Sequence, residues 1–417
     1  MGIITFPRGF LWGASTSAYQ TEGHNAGSAF WDWERRKGWE PSGAAAGSWE
    51  RFEEDLECVK ALHLNAYRFS MEWSRVQPGP DRFDEGVLAR YAFWARRLKE
   101  EGVRPFVCLH HFSEPAWLLE RHPEGWLDEG VAPRYLRFAE RAAGALREHV
   151  RDWVTFNEPV VFIVGAYGMG QFPPGRRLLL RPKLLERAVR IMARTHNEAY
   201  RLLRRLQPEG RVGYAHHVSA LDPARPGDED AVMAWDSFMH RGFIEATKAH
   251  MDFLGVNYYT RIFVHRSFLS PLPGRAVPGY AEFERGVGGP LFKLLGGRRG
   301  DGEPTDMGWE VHPEGLGRVV GALWRDFGLP ILVLENGIAD AAGSRREGFI
   351  RDHLGSLGGV MAQGAEVQGY FHWSLVDNYE WGSYRPRFGL YSMARRPAPG
   401  SAFYAEVART GEMNVDG

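Results

Sequence analysis

Trp153-Val154-Thr155-Phe156-Asn157-Glu158-Pro159 and Ile331-Leu332-Val333-Leu334-Glu335-Asn336-Gly337 write one pattern twice. In each, four β-favouring residues run into an adjacent amide and carboxylate, and a Pro or Gly then ends the strand. The runs are continuously apolar instead of alternating, as in parallel strands covered on both faces. A carboxylate at the end of such a strand is costly unless something partners it. These two segments therefore predict a buried parallel sheet with two glutamates, Glu158 and Glu335, at one end of it.

Six further runs of the same kind lie on either side, so that candidate strands fall at 10–14, 66–70, 105–110, 153–157, 212–216, 253–258, 331–335 and 367–373. Helical stretches separate them. Trp49, Phe52, Leu56, Val59 and Leu62 recur at three- and four-residue steps, with Ser48 as the expected N-cap. Another helix opens at Pro313, turns Leu316, Val320, Leu323 and Phe327 inward, and stops at Gly328 before Pro330. Eight βα units in 417 residues without a linker-like shift in composition predict a single (β/α)8 TIM barrel over residues 1–417; an open doubly wound sheet is the alternative. The stretch 266–306, rich in Gly, Pro and Arg, is expected to be a loop excursion after strand six, beside the barrel mouth.

Composition narrows the function. Hydrophobic residues make up 44% and charged residues 25%, proportions that exclude a disordered or collagenous chain. Lys and Arg total 51 against 52 Asp and Glu, leaving no basic field for a nucleic acid or an anionic membrane. No run approaches the roughly 20 apolar residues that span a bilayer, and residues 1–11 lack the features of a secretory signal, so the expected location is cytoplasmic. Cys58 and Cys108 are too few for a disulfide framework or a structural zinc site and read as buried thiols. The 15 Trp, 15 Tyr and 25 Phe suit the flat faces of a sugar site, though a large core also uses them.

In a barrel the C-terminal strand ends build the active site. Here they carry Arg68, His110-His111, Asn157-Glu158, Asn257-Tyr258-Tyr259, Glu335-Asn336 and His372-Trp373. Strands four and seven of eight face one another across the mouth, which places Glu158 and Glu335 on two sides of a ligand. Cleavage of a glycosidic bond uses such a pair: one protonated carboxyl to assist the leaving oxygen, one carboxylate to attack or to direct water. The competing reading of either glutamate is a buried ion pair with Arg68 or another arginine.

These segments resemble the two signatures of glycoside hydrolase family 1, the retaining β-glycosidases. The resemblance spans nearly the whole chain: residues 10–23 (FLWGASTSAYQTEG), Tyr67-Arg68-Phe69-Ser70, His111-Phe112, and residues 373–381 (WSLVDNYEW) fall in the family's order. It implies a retaining exo-β-glycosidase acting on terminal β-D-glucosyl or β-D-galactosyl residues. Glu158 would be the acid/base and Glu335 the nucleophile. Asn157 would hold the sugar 2-hydroxyl, and Tyr259 and Arg68 would orient Glu335, with Asn257 in support. Gln20, His111, Glu380 and Trp381 would bind the distal hydroxyls, and Trp373 would offer a stacking face. No cofactor is implied. The partner is a small-molecule β-glycoside or oligosaccharide, with no nucleic acid or membrane; nothing in the sequence sets an oligomeric state.

The departures are local. The short segment 338–343 resembles a compact, archaeal-type branch, and Val160-Val161 stand where many relatives carry Trp, so the leaving-group side is expected to be less aromatic. The 6-phospho-glycosidase branch places Ser and a Lys-x-Tyr pair where this chain has Glu380, Pro386 and Phe388. Glu380 has no evident partner in sequence, and is expected to accept from two vicinal hydroxyls. His216-His217 resembles a metal pair, but adjacent strand residues point to opposite faces, so no metal is assigned. Two other readings compete: a sugar-binding barrel without catalysis, and a metal-dependent barrel enzyme.

Overall fold

Eight parallel strands close on themselves in a computed structural model that describes residues 2–278 and 302–414. They are β1 (Leu11–Ser15), β2 (Ala66–Ser70), β3 (Arg104–Cys108), β4 (Asp152–Asn157), β5 (Arg211–His217), β6 (Leu254–Asn257), β7 (Ile331–Asn336) and β8 (Val367–Trp373). Each pairs in parallel with its neighbours in chain order, and β8 returns to β1 through Gly369 to Trp373 against Leu11 to Ser15. The fold is thus a (β/α)8 barrel and not an open sheet. All eight expected strands are present, displaced by at most two residues at either end.

Side chains fill the barrel. Leu11, Ala66, Phe106, Cys108, Val154, Ala215, Phe253, Leu332, Leu334 and Phe371 form one buried cluster. Gly13 makes room for Phe371, since a Cβ on it would lie 2.3 Å from the Phe371 ring. Cys58 and Cys108 are both free and buried.

The helices cover the outside. Ser48–Ala61 buries Phe52, Leu56 and Val59 as their spacing predicts, but its N-cap is Gly47, at φ 70°, and not Ser48. Ser48 begins the helix, and its hydroxyl accepts from Arg395 Nη2 at 3.3 Å. Pro313–Phe327 ends at Gly328 in the left-handed conformation, as expected. Among the described residues no helix is long and apolar enough to cross a membrane.

The excursion after β6 is partly ordered strand. Arg261–Arg266 pairs with Ala220–Pro223 on one side and with Ala276–Pro278 on the other. Trp309, three residues past the expected excursion, approaches Tyr259 with ring centroids 5.3 Å apart. The expected loop over 266–306 otherwise falls largely outside the described residues.

Candidate active site

The pairings slip at the ends of the two strands that carry the glutamates, between Val154 and Asn157 in β4 and between Val333 and Glu335 in β7. Such irregularities re-aim side chains that regular alternation would direct elsewhere. Glu158, the residue after β4, adopts φ 45° and ψ 57°. Its N–H donates to Ala215 O at 2.7 Å, and Pro159 begins the short helix Pro159–Ile163. A proline disfavours the helical region for the residue before it. The left-handed conformation costs a non-glycine residue on the order of 1 kcal/mol. Here it places a carboxyl at the mouth.

The surroundings of the two carboxyls differ. Arg68 Nη1 donates to Glu335 Oε1 at 2.5 Å, and Tyr259 Oη donates to Glu335 Oε2 at 2.8 Å. Glu158 Oε1 accepts from Asn257 Nδ2 at 2.9 Å. The ion pair anticipated as an alternative to catalysis does form, with Arg68 fully buried. Arg68 pairs with Glu335 and turns its other nitrogen to the Asn157 amide, so Glu158 has no guanidinium partner among the described residues. Burial raises the Glu335 carboxyl above the usual carboxylate range, against the pull of Arg68 and Tyr259, and a charge on Glu158 raises it further. Burial, followed by the Glu335 charge, holds Tyr259 far above the usual phenol range, so its hydroxyl stays a donor.

Asn157 is locked in orientation. Its Oδ1 accepts from Arg68 Nη2 at 2.7 Å and from Asn257 Nδ2 at 3.0 Å, and its Nδ2 donates to His111 Nε2 at 3.1 Å. His111 therefore carries its proton on Nδ1, an atom with no partner among the described residues. Burial, then Arg68, drives the imidazole well below its ordinary range and keeps it neutral. The result is an N–H donor without charge.

Across the mouth, Glu380 does have partners. Gln20 Nε2 donates to its Oε2 at 3.0 Å, and Trp373 Nε1 donates to its Oε1 at 3.1 Å. These contacts bridge 360 residues of chain in the first case, which is why sequence inspection finds none. Desolvation dominates and lifts Glu380 to about 8. The Trp373 ring stacks on His111 with centroids 5.7 Å apart. Trp381, half-buried, lies parallel to Tyr19 at 6.2 Å and also touches Phe30, Phe112 and Phe172. Its ring is packed as well as presented.

Every residue predicted for the site thus gathers at the C-terminal end of the barrel. Three others were not predicted. Ser17 Oγ donates to Gln20 Oε1 at 2.6 Å, and Asn378 Oδ1 accepts from Gln20 Nε2 at 3.1 Å, so the two fix which way the Gln20 amide points. The third is His217, whose Nδ1 lies 3.5 Å from Glu158 Oε1. His216 points away, with Nε2 donating to His240 O at 2.9 Å, as strand alternation requires.

Residues 3–247 and 239–413 match the sequence pattern of Glycosyl hydrolase family 1. The chain belongs to that family. As a glycosyl hydrolase it acts on O-glycosyl bonds. It is 29% identical to the β-galactosidase of Pyrococcus woesei, with 93% of this chain and 92% of the relative aligned. It is 27% identical to β-glucosidase A of Thermotoga maritima over 98% and 99% of the two chains. Among solved structures, the β-glycosidase from Pyrococcus horikoshii superposes with a TM-score of 0.89 at 30% identity, covering 99% of this chain and 97% of that one.

Proposed function

We propose that this glycosyl hydrolase is a retaining exo-β-glycosidase that releases terminal β-D-glucosyl or β-D-galactosyl residues from small-molecule β-glycosides and oligosaccharides. The relatives support the substrate class, being named β-galactosidase and β-glucosidase. A β-glucosidase with β-galactosidase or β-fucosidase side activity is the reading that fits both names. It assigns no cofactor. It also takes residues 1–417 as one catalytic barrel, with the 266–306 excursion beside the mouth.

One observation carries the mechanism: both oxygens of Glu335 accept from strong donors, while Glu158 accepts a neutral amide on one oxygen. Donors favour the ionised form of the group they serve. Glu335 is accordingly the nucleophile and Glu158 the acid/base. In the first displacement a Glu335 oxygen bonds to the anomeric carbon while the bond to the leaving oxygen breaks, and that oxygen takes the Glu158 proton. In the second, Glu158 removes a proton from water, the water oxygen bonds to the anomeric carbon, and Glu335 departs as carboxylate. Asn157 meets the 2-hydroxyl with its remaining N–H. His111, Gln20 and Glu380 meet the distal hydroxyls beside the faces of Trp373 and Trp381, while Arg68, Asn257 and Tyr259 hold the carboxyls.

A 2-deoxy-2-fluoro-β-glucoside with a dinitrophenyl leaving group tests this. The second displacement is slowed by the fluorine, so the sugar should remain as an ester on Glu335, located by peptide mass spectrometry. An ester on Glu158, or a first-formed product of inverted configuration from an ordinary aryl β-glucoside, would overturn the assignment. A protein that binds aryl β-glucosides without cleaving them would instead be a sugar-binding barrel.

A further inference from the structure

His217 ends β5 with its side chain 13% exposed and its ring parallel to Tyr259, centroids 6.4 Å apart. Its Nδ1 stands 3.5 Å from Glu158 Oε1, and its Nε2 lies 3.0 Å from Ser219 Oγ. The ring is held from behind. Ser219 N donates to His240 Nε2 at 3.3 Å, and His240 Nδ1 in turn faces Asp236 Oδ1 at 2.7 Å. Neither the metal reading of the His216-His217 pair nor the hydrolytic mechanism gives this arrangement a purpose.

The tautomer follows from the neighbours. Glu158 Oε1 already accepts from Asn257 Nδ2, so a hydroxyl proton on that oxygen would oppose the amide. The complement at His217 Nδ1 is therefore a donor, and Nε2 accepts from the Ser219 hydroxyl. We propose that His217 is a positioning residue for the acid/base: its Nδ1–H and the Asn257 amide reserve Oε1 as the accepting oxygen, so that the transferable proton sits on Oε2, towards the leaving group. This rests on Glu158 being the acid/base. When Oε2–H protonates the departing oxygen, the negative charge stays on Glu158 and draws the His217 N–H closer. His217 keeps its own proton throughout. At 3.5 Å the contact is longer than a hydrogen bond at rest and tightens as charge develops.

The groups facing this pair are Glu335 at the end of β7, the Tyr259 hydroxyl after β6, His216 on β5, and His240 and Asp236 behind it. His217 Nδ1 stands 3.5 Å from Glu158 Oε1, so a change at residue 217 is expected to read out on the acid/base.

The test compares kcat/KM of the full chain on a dinitrophenyl and a methoxyphenyl β-glucoside across pH. The first leaves without protonation and the second needs it. His217→Phe keeps a ring against Tyr259 and removes the N–H. It should depress methoxyphenyl cleavage about fivefold or more relative to dinitrophenyl cleavage. It should also move the alkaline limb with methoxyphenyl glucoside up by about half a pH unit, because the carboxylate form loses a donor. His217→Gln restores an N–H and should recover most of both effects. Equal losses on the two substrates with an unmoved limb, or a limb moved down, would overturn the proposal and leave a packing role. Glu158→Gln separates the two levels. If it too shows no leaving-group dependence, the acid/base reading fails and the proposal with it; if it shows a large one and His217→Phe shows none, the His217 assignment alone fails.

Discussion

Arg68 joins Glu335 to Asn157: one terminal nitrogen donates to the Glu335 carboxylate at 2.5 Å and the other to the Asn157 amide oxygen at 2.7 Å. The planar guanidinium thereby ties the carboxylate proposed as nucleophile to the amide proposed to hold the sugar 2-hydroxyl. A lysine would offer one point of charge and could not bridge the two.

Arg68→Lys should therefore lower kcat for a dinitrophenyl β-glucoside by on the order of 100-fold, since misplacing an attacking atom by about 1 Å has that effect. Arg68→Met, which leaves the buried Glu335 charge unpaired, should also destabilise the fold by about 3–5 kcal/mol. Steady-state kinetics and denaturant unfolding measure these effects. Wild-type kcat in Arg68→Lys would show that the bridge is not needed for attack.

The raised Glu335 carboxyl sets the acid limb of the pH profile. The group must be ionised to attack, and burial lifts it, so kcat/KM should climb with pH over a range above that of an ordinary carboxylate. Glu158 carries its proton in the reactive form and lends no charge to Glu335 there, so Glu158→Gln should leave the acid limb in place. A dinitrophenyl glycoside is the right probe because it requires no acid catalyst. A limb that moves to lower pH would show that Glu158 is ionised while Glu335 titrates, against the roles proposed.

In the proposed function Glu380 faces the distal end of the sugar. Unphosphorylated glycosides should be strongly preferred over their 6-phosphates, because a phosphate would meet a carboxylate in place of a cationic or hydroxyl donor. The Glu380 carboxyl is lifted to about 8, so it is protonated below that pH and charged above it. The preference should accordingly sharpen as pH rises through 8, and Glu380→Gln should abolish the sharpening. Ratios of kcat/KM for the two substrates, taken at several pH values, decide it. Equal efficiency on both at high pH would contradict the role given to Glu380.

Azide distinguishes the two glutamates by stereochemistry. Glu335→Gly opens the face opposite the leaving group, so azide should attack an activated β-glycoside once and give the α-glycosyl azide. Glu158→Ala keeps the nucleophile, and azide should then attack the glycosyl-enzyme from the other face and give the β-glycosyl azide. Proton NMR of the isolated products reads the configuration. Exchanged configurations would mean exchanged roles.

The barrel and its two glutamates were legible in the chain because they rest on local rules. Continuous apolar runs such as 331–334 need cover on both faces, and a carboxylate set directly after such a run has to be at a strand end. Of the partners of those glutamates, Arg68 was already a candidate from the residues, whereas Tyr259 and Asn257 were legible only through family resemblance. Helix capping was less secure: Ser48 has the right residue type, but Gly47 takes the cap, and the Ser48 hydroxyl instead accepts from Arg395, a residue 347 positions away.

What sequence alone determined, then, is the set of strands, their parallel sense, and which strand ends carry acid. Tertiary structure decided how each acid behaves. Closing the barrel brings Arg68 and Tyr259 to Glu335, Asn257 and His217 to Glu158, and Gln20 and Trp373 to Glu380. Those contacts join residues from different strands and loops, and Coulomb and hydrogen-bond energies depend on ångström-scale separations across the mouth. Chain order carries no record of such separations, so the surroundings that distinguish one glutamate from another, and on which their proposed roles rest, arise only once the strands have closed.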